Sequence, residues 1–409
     1  MKATSLKDAL NVLDPEHSLR TDEELRDYFI ARPMSPLEEL CILLKETAGP
    51  QKILFTGHRG SGKSTELAKL AQGLRDQFLP IQYSIKDRLN LYDLTYVDVI
   101  LSLGLELSRT ATERAIQVKP EVLEHVLEFT KEISKEVGVD VKSQAEVGTE
   151  LNLYVVKLGS KLGTEDVTRT VVREKVSHRL TDLLESIDFL AREVLRVSGR
   201  RVLLIVEDLD KADLKTAREL FYEHATALLE PAVSIIYTFP TALRHDNDFM
   251  QVRTNFPTCF VLPNLKTTLE DGTRDEAGAG KLREILTRRV DEALFHPDAL
   301  ERLVEFSSGI PRELVALAGL ACLQARVSNQ PRIELEAVEQ AADSRRREYQ
   351  VLLSSEQIGL LRKVQSSKRV ENGEPYRALL HNLSVLEYRN RTVWYDVHPV
   401  IKPLLSEGA

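Results

Sequence analysis

The chain has 409 residues, of which 43% are hydrophobic and 29% charged, with a net charge of -8 at pH 7. That length and apolar content make a globular protein of two or three domains with real cores, and the acidic balance excludes a protein that coats nucleic acid over its whole surface. The three cysteines, Cys41, Cys259 and Cys322, lie far apart and form no C-x-x-C pair, so they suggest neither a disulfide framework nor a zinc site; the N-terminus lacks a signal-type apolar segment and the longest uncharged stretch, Pro231 to Leu243, is shorter than the roughly 20 residues that span a bilayer, so a cytoplasmic protein with no membrane partner is expected.

The first strong element is Lys52-Ile53-Leu54-Phe55-Thr56, a short buried strand. Gly57-His58-Arg59-Gly60-Ser61-Gly62-Lys63-Ser64 follows and fits G-x-x-x-x-G-K-[ST]; from Ser64 to Phe78 the spacing is helical, with Leu67, Leu70, Ala71 and Leu74 on one face. Strand, glycine loop and helix in that order make a phosphate cradle. Glycines let the main chain turn its amides inward, and the helix start adds unpaired N–H groups and partial positive charge. Lys63 would reach the β- and γ-phosphates, the Ser64 hydroxyl would ligate Mg²⁺, and Thr65 would lie near the α-phosphate. A glycine-rich loop that merely turns the chain is the competing reading, disfavoured by its neighbours.

The stretch from Lys63 to Glu207 is longer than one strand and its helices need, which implies an insert at about 105–198. Val122, Val126, Phe129 and Ile133 have helical spacing, whereas Val147, Thr149, Leu151, Leu153 and Val155 alternate with Gly148, Glu150 and Asn152. These patterns predict a helix, a β-hairpin over Val137 to Leu158, and a long helix from Asp166 to Val197. Partner or subunit contacts and simple elaboration of the core are equally open roles for it.

Arg200 to Asp210 (RRVLLIVEDLD) is a continuous apolar run followed at once by carboxylates, as in a buried parallel strand that ends at a metal site. By position Glu207 takes the metal side, directly or through water, and Asp208 polarises the attacking water. Such motifs more often carry aspartate first, so the assignment between the two stays open. Asp210 reads as a cap for a helix over Leu214 to Leu229 rather than as a ligand. Ala232 to Thr238 is another apolar run, ending in a hydroxyl, and Cys259-Phe260-Val261-Leu262 is a further strand.

Lys281 to Arg347 reads as helical, with apolar residues recurring at Leu282, Ile285, Leu286, Leu314, Leu317, Ala318 and Ala321. Helices over Ser355 to Gln365 and Tyr376 to Leu386 then precede a hairpin, Glu387 to Val397, turning at Asn390-Arg391. This is the layout of a winged helix. From Arg345 to Ala409 eleven Lys/Arg oppose seven Asp/Glu. Arg389 and Arg391 would suit phosphate contacts, while Glu371, Glu374 and Glu387 interrupt the basic surface.

The segments GHRGSGKST, VLLIVEDLD, SIIYTFP and SSGIPREL together resemble AAA+-type P-loop ATPases, and more narrowly the branch of origin-recognition-like and STAND signalling ATPases, over roughly residues 25–90 and 200–405. The resemblance implies an α/β fold: a parallel P-loop sheet of five strands in the order 5-1-4-3-2, a helical lid and a C-terminal winged helix. The domains would be 1–279, 280–347 and 348–409. It implies that Thr238 senses the γ-phosphate or the water, that Pro311 packs near adenine, and that Arg312 senses the γ-phosphate. Tyr28-Phe29-Ile30-Ala31-Arg32 is similar to the adenine clasp of these proteins, with Ala31 in place of a glycine, which would bring Arg32 to the nucleotide. Arg244 and Arg253 occupy the region of an intersubunit arginine finger. The cofactors implied are ATP and Mg²⁺. The function implied is slow ATP hydrolysis coupled to a switch on a partner protein, in an oligomer, with bacterial defence or stress signalling suggested by family company. A DNA-remodelling ATPase that uses its winged helix is the alternative; a small-molecule kinase fits poorly, because lid and winged helix stand where an acceptor pocket would be.

Overall fold

The continuous apolar runs of the sequence become the inner strands of a parallel sheet. In the computed structural model, which describes residues 2–406 apart from 137, 140, 142–146, 165 and 391, the sheet strands are β1 (Lys52–Thr56), β2 (Phe78–Ser84), β3 (Arg201–Glu207), β4 (Ser234–Phe239) and β5 (Thr258–Val261). Their order is β2-β3-β4-β1-β5, the expected order. Pro80, which cannot donate to a ladder, lies in β2 at the sheet edge. The register sets Phe55 beside Thr238 and Ser84 beside Glu207. The carboxyl ends of β1, β3 and β4 therefore finish at one level, where open α/β sheets bind ligands.

Each strand feeds both layers. Ile53, Phe55, Leu203, Ile205 and Ile236 pack against Leu67, Leu70 and Leu74 of the helix Lys63–Gly73. Leu54, Leu204, Val206 and Tyr237 pack on the opposite side with the helices Tyr96–Glu113 and Leu180–Ser198. Residues buried on both faces read as uninterrupted apolar runs.

The insert corrects two expectations. Val147 to Thr164 is a helix, not part of a hairpin; residues 137, 140 and 142–146 of the expected hairpin lie outside the described residues. The residues that alternate also satisfy helical spacing, and packing selects that period: Val147, Leu151 and Tyr154 bury against Val126 and Leu127, and Leu158 joins the main core beside Phe129 and Ile133. The long helix is two, Asp166–His178 and Leu180–Ser198, broken at Arg179, whose ψ of 28° leaves the helical region. Among the described residues no helix is long and apolar enough to cross a membrane.

The helices Glu276–Arg289, Pro297–Phe306, Pro311–Val327 and Leu335–Leu352 form a separate core, joined by the N-terminal residues Ala3, Leu6, Ala9 and Leu13. Ala3 pairs with Val290 as a short parallel bridge. After this core come the helices Ser355–Ser367 and Glu374–His381, then β6 (Val385–Arg389) and β7 (Val393–Val397), an antiparallel hairpin. Trp394 and Tyr388 stack at 4.6 Å and cover Ile310, next to Pro311.

The helix in the insert yields a clean test. Leu151 is 1% and Leu153 40% exposed, although a strand would put both on one face. Leu151→Ala is expected to cost about 2–4 kcal/mol in chemical denaturation and Leu153→Ala under about 0.5 kcal/mol; equal losses would contradict the helix.

Candidate functional site

The loop between β1 and the helix Lys63–Gly73 is shaped by close approach. Gly60 has φ 77° and Gly62 φ 97°, left-handed values that a side chain resists. A Cβ on Gly60 would stand 2.7 Å from the Arg312 Cβ, and one on Gly62 2.7 Å from the Arg32 guanidinium. The lid and Arg32 thus press on the loop where it has no side chains. The Arg312 N–H donates to the Gly60 carbonyl at 3.2 Å.

Lys63 is 7% exposed. Its ammonium donates to the carbonyls of Gly57 (2.8 Å) and His58 (2.9 Å) and pairs with Asp210 at 2.8 Å. Asp210 is therefore not the helix cap expected of it. Asp213 caps that helix, accepting from the N–H groups of Lys215 and Thr216. Burial works to raise the Asp210 carboxyl, and Lys63 overcomes it, leaving Asp210 below the ordinary range. The helix itself runs from Leu214 to Arg218 and passes through a π turn at Glu219–Glu223 before Ala225–Leu229.

Glu207 and Asp208 face different surroundings. Glu207 is 1% exposed, and its Oε2 accepts from Arg20 at 3.1 Å while Oε1 has no partner. Burial pushes its carboxyl up, opposed by Arg20 and by Ser64 beside it. Asp208 turns away at φ 69°, accepting from the Ser84 hydroxyl at 2.6 Å and pairing with Lys211 at 2.7 Å. The Thr238 hydroxyl accepts from the Leu209 N–H and donates to the Val206 carbonyl.

These groups, the buried Glu207 excepted, open on one cavity. Its lining includes Arg59, Gly60, Gly62, Lys63, Ser64, Thr65, Asp208, Asp210, Thr238, Pro311 and Arg312, so most of the residues singled out in the sequence meet there. Gly57 and His58 instead face a narrow crevice under the helix Glu374–His381, shared with Arg59. Arg32 stands behind the loop: its guanidinium pairs with Glu66 at 3.0 Å and donates to the Ser61 carbonyl at 2.7 Å. Arg244 pairs with Glu387 of its own chain at 3.0 Å, so it is engaged there rather than free as an intersubunit finger. Arg389 binds the same carboxylate at 2.8 Å, and Arg391 lies outside the described residues.

Sequence reasoning missed the wall opposite the loop. Val12, Asp14, Pro15, Glu16, His17 and Ser18 line the cavity together with Ile285, Arg289 and Val315 of the lid. The Arg312 Nε donates to the Pro15 carbonyl at 3.2 Å, and Arg20, two residues past Ser18, reaches Glu207. The segment has no periodicity. Its one local signal is the Thr21–Glu24 capping box, which marks where the segment ends and not what it covers.

The fold and this site define a P-loop α/β architecture: glycine loop, acidic strand end and polar strand end converge beneath a helical lid. No protein-family model matches the chain, and the curated proteins give no match. Solved structures similar to it include a Walker-type ATPase of Pyrococcus abyssi (17% identity, TM-score 0.49, 97% of this chain and 99% of that chain). The ORC1 protein of Aeropyrum pernix in complex with DNA (15%, 0.44, 98% and 96%) and Cdc6p from Pyrobaculum aerophilum (12%, 0.42, 97% and 98%) are similar as well.

Two buried histidines, His58 in the loop and His398 after β7, give the fold a pH dependence. His58 Nε2 accepts from the Glu387 N–H at 2.8 Å, and His398 Nδ1 from the Val400 N–H at 3.3 Å. Burial, foremost among the causes, pushes both down to about 4. The unfolded chain takes these protons near pH 6.5, so between 6.5 and 4 it holds more protons than the folded one and stability falls as pH drops. From pH 7 to pH 5 the loss is expected to be about 2 kcal/mol for each histidine. Denaturant midpoints at the two pH values measure it, and His58→Gln should flatten the dependence.

Proposed function

We propose that the chain is an AAA+-type ATPase of the STAND-like kind, a nucleotide-dependent switch that acts on a partner protein. The observation that carries this reading is the buried Lys63 ammonium, held between loop carbonyls and Asp210 directly beneath lid residues bonded to Gly60. A triphosphate replaces Asp210 as the anion of Lys63 and brings its own charge into a cradle of main-chain amides. Pro15, Ile285 and Val315 offer apolar surface for the base.

The donor set fits Mg²⁺. The Ser64 side chain lies beside the Glu207 carboxyl, whose Oε1 has no partner, and a P-loop magnesium needs few protein ligands because phosphates and waters complete its shell. Bound there, Mg²⁺ would neutralise charge on the β- and γ-phosphate oxygens. Glu207 thus takes the metal side, and Asp208 the water side with its carboxylate already bound by Ser84 and Lys211. A water-polarising carboxylate so engaged supports slow turnover. Thr238 and Arg312 bracket the cavity from sheet and lid, so gain or loss of the γ-phosphate alters what holds the lid closed. ADP is then the ligand of the relaxed state.

The partner is read as a protein because Arg389, the wing cation that a DNA backbone would need, is committed to Glu387. A homo-oligomer and a role in bacterial defence or stress signalling belong to the same proposal and rest on resemblance. Duplex binding that falls with salt and with Arg389→Ala would favour the DNA-remodelling reading instead.

Lys63→Ala should weaken ATP binding by about 100-fold or more in a titration with fluorescent nucleotide; undiminished affinity would end the proposal. Asp210→Asn removes the carboxylate that the triphosphate must displace. The free protein should melt lower and gain more in Tm from ATP than the wild type does.

A further inference from the structure

Arg59 belongs to the loop, yet neither the motif nor the resemblance assigns its side chain a task. The half-buried side chain stands between two openings. On one side it lines the nucleotide cavity with Lys63, Asp210, Lys211 and Thr238. On the other it lines the crevice beneath the C-terminal helix Glu374–His381. Its Nη2 donates to the Lys211 carbonyl at 3.0 Å and to His381 Nε2 at 2.8 Å, and its Nε is buried with no partner.

This guanidinium lacks an anion. Asp210 exerts the largest attraction on it but is spent on Lys63 at 2.8 Å, and Arg59 forms no ion pair among the described residues. Arginine stays charged at any working pH, and a cation withdrawn from water needs a counter-charge. The cavity's terminal-phosphate end supplies the place for one. On the nucleotide reading, Lys63, Asp210 and Thr238 would meet the terminal phosphate and the apolar Pro15, Ile285 and Val315 the base.

We infer that Arg59 reads the terminal phosphate and relays it to the C-terminal domain. Without a γ-phosphate the guanidinium holds His381 and ties the C-terminal helix to the loop; with ATP its Nε–Nη2 fork turns to the phosphate and lets the helix go. The competition is unequal. His381 offers a neutral nitrogen, kept neutral by burial and then by Arg59 itself, which push it down to about 4. The phosphate offers charged oxygens, and charge-assisted bonds are roughly twice as strong as neutral ones. Among the described residues, release at Arg59 leaves the His58–Glu387 hydrogen bond as the polar tether between loop and C-terminal domain.

This inference rests on the nucleotide-binding reading above, and its test separates the two. Hydrogen exchange over residues 374–389 of the full-length protein is measured with Mg²⁺ plus ADP or plus a non-hydrolysable ATP analogue, alongside affinities for both. In the wild type the analogue is expected to speed exchange there by about tenfold relative to ADP, the worth of one hydrogen bond to a charged group. Arg59→Ala should lose about tenfold in affinity for the analogue, keep ADP affinity within about twofold, and exchange fast with either ligand. His381→Ala should abolish the nucleotide response while both nucleotides still bind. Thermal unfolding without nucleotide checks that both variants fold. If Arg59→Ala retains the wild-type response and the wild-type ratio of affinities, the relay is overturned and the nucleotide site stands; a wild type that binds both ligands with identical exchange overturns it too. A wild type that binds neither ligand ends the nucleotide reading and the relay with it.

Discussion

An ammonium without water is the constraint around which the rest of this molecule is arranged. Lys63 has exchanged its hydration for two loop carbonyls and one carboxylate. A buried cation persists only when its partners are held in place, so the loop must curl its carbonyls inward and the end of β3 must carry an acid near it. The parallel sheet provides both, because β1 and β3 finish at the same level with β4 between them. On the proposed reading, the pair is also what would let the site respond to a ligand. An anion that competes with Asp210 for Lys63 changes what Asp210 and its neighbours are bonded to.

The loop is gripped from every side by parts of the chain far away in sequence. Arg32 holds the Ser61 carbonyl, Arg312 packs on Gly60, Glu387 donates its N–H to His58, and His381 accepts from Arg59. Each contact uses a group that the loop presents because its glycines leave backbone uncovered or because its side chains point outward. A loop held in this way has few conformations of its own, and a rearrangement of it would also disturb its contacts with the lid and the C-terminal hairpin.

The C-terminal hairpin is joined to the sheet domain by a buried charge cluster. Glu387, 4% exposed, takes Arg244 and His245 from the segment after β4 and Arg389 from its own strand. Burial alone would raise this carboxyl; the hydrogen bond from His245 and the two guanidinium groups instead hold it well below the usual carboxylate range. Removing one partner from such a cluster leaves charge uncompensated in low dielectric. The arrangement specifies one docking geometry more strictly than an apolar patch would. The two arginines most suggestive of outward-facing roles, Arg244 and Arg389, are both consumed in it.

Local signals were sufficient where physics is local. Apolar runs marked β1, β3 and β4, the glycine spacing marked the loop, and the hairpin over Glu387 to Val397 was legible because only residues 390–392 separate its paired ends, Arg389 and Val393. The insert was not legible, because residues 147–158 satisfy both periods and only their burial against Val126 and Ile133 selects the helix. The site divided along the same line. Lys63, Ser64, Glu207 and Thr238 announce themselves by position in a strand or loop. The partners that decide what those groups do, Asp210 on Lys63, Arg20 on Glu207 and His381 on Arg59, come together only in three dimensions. A sequence specifies which groups can bear charge, but the choice of counter-charge is made by which segments the packed layers bring within about 3 Å, the reach of a hydrogen bond.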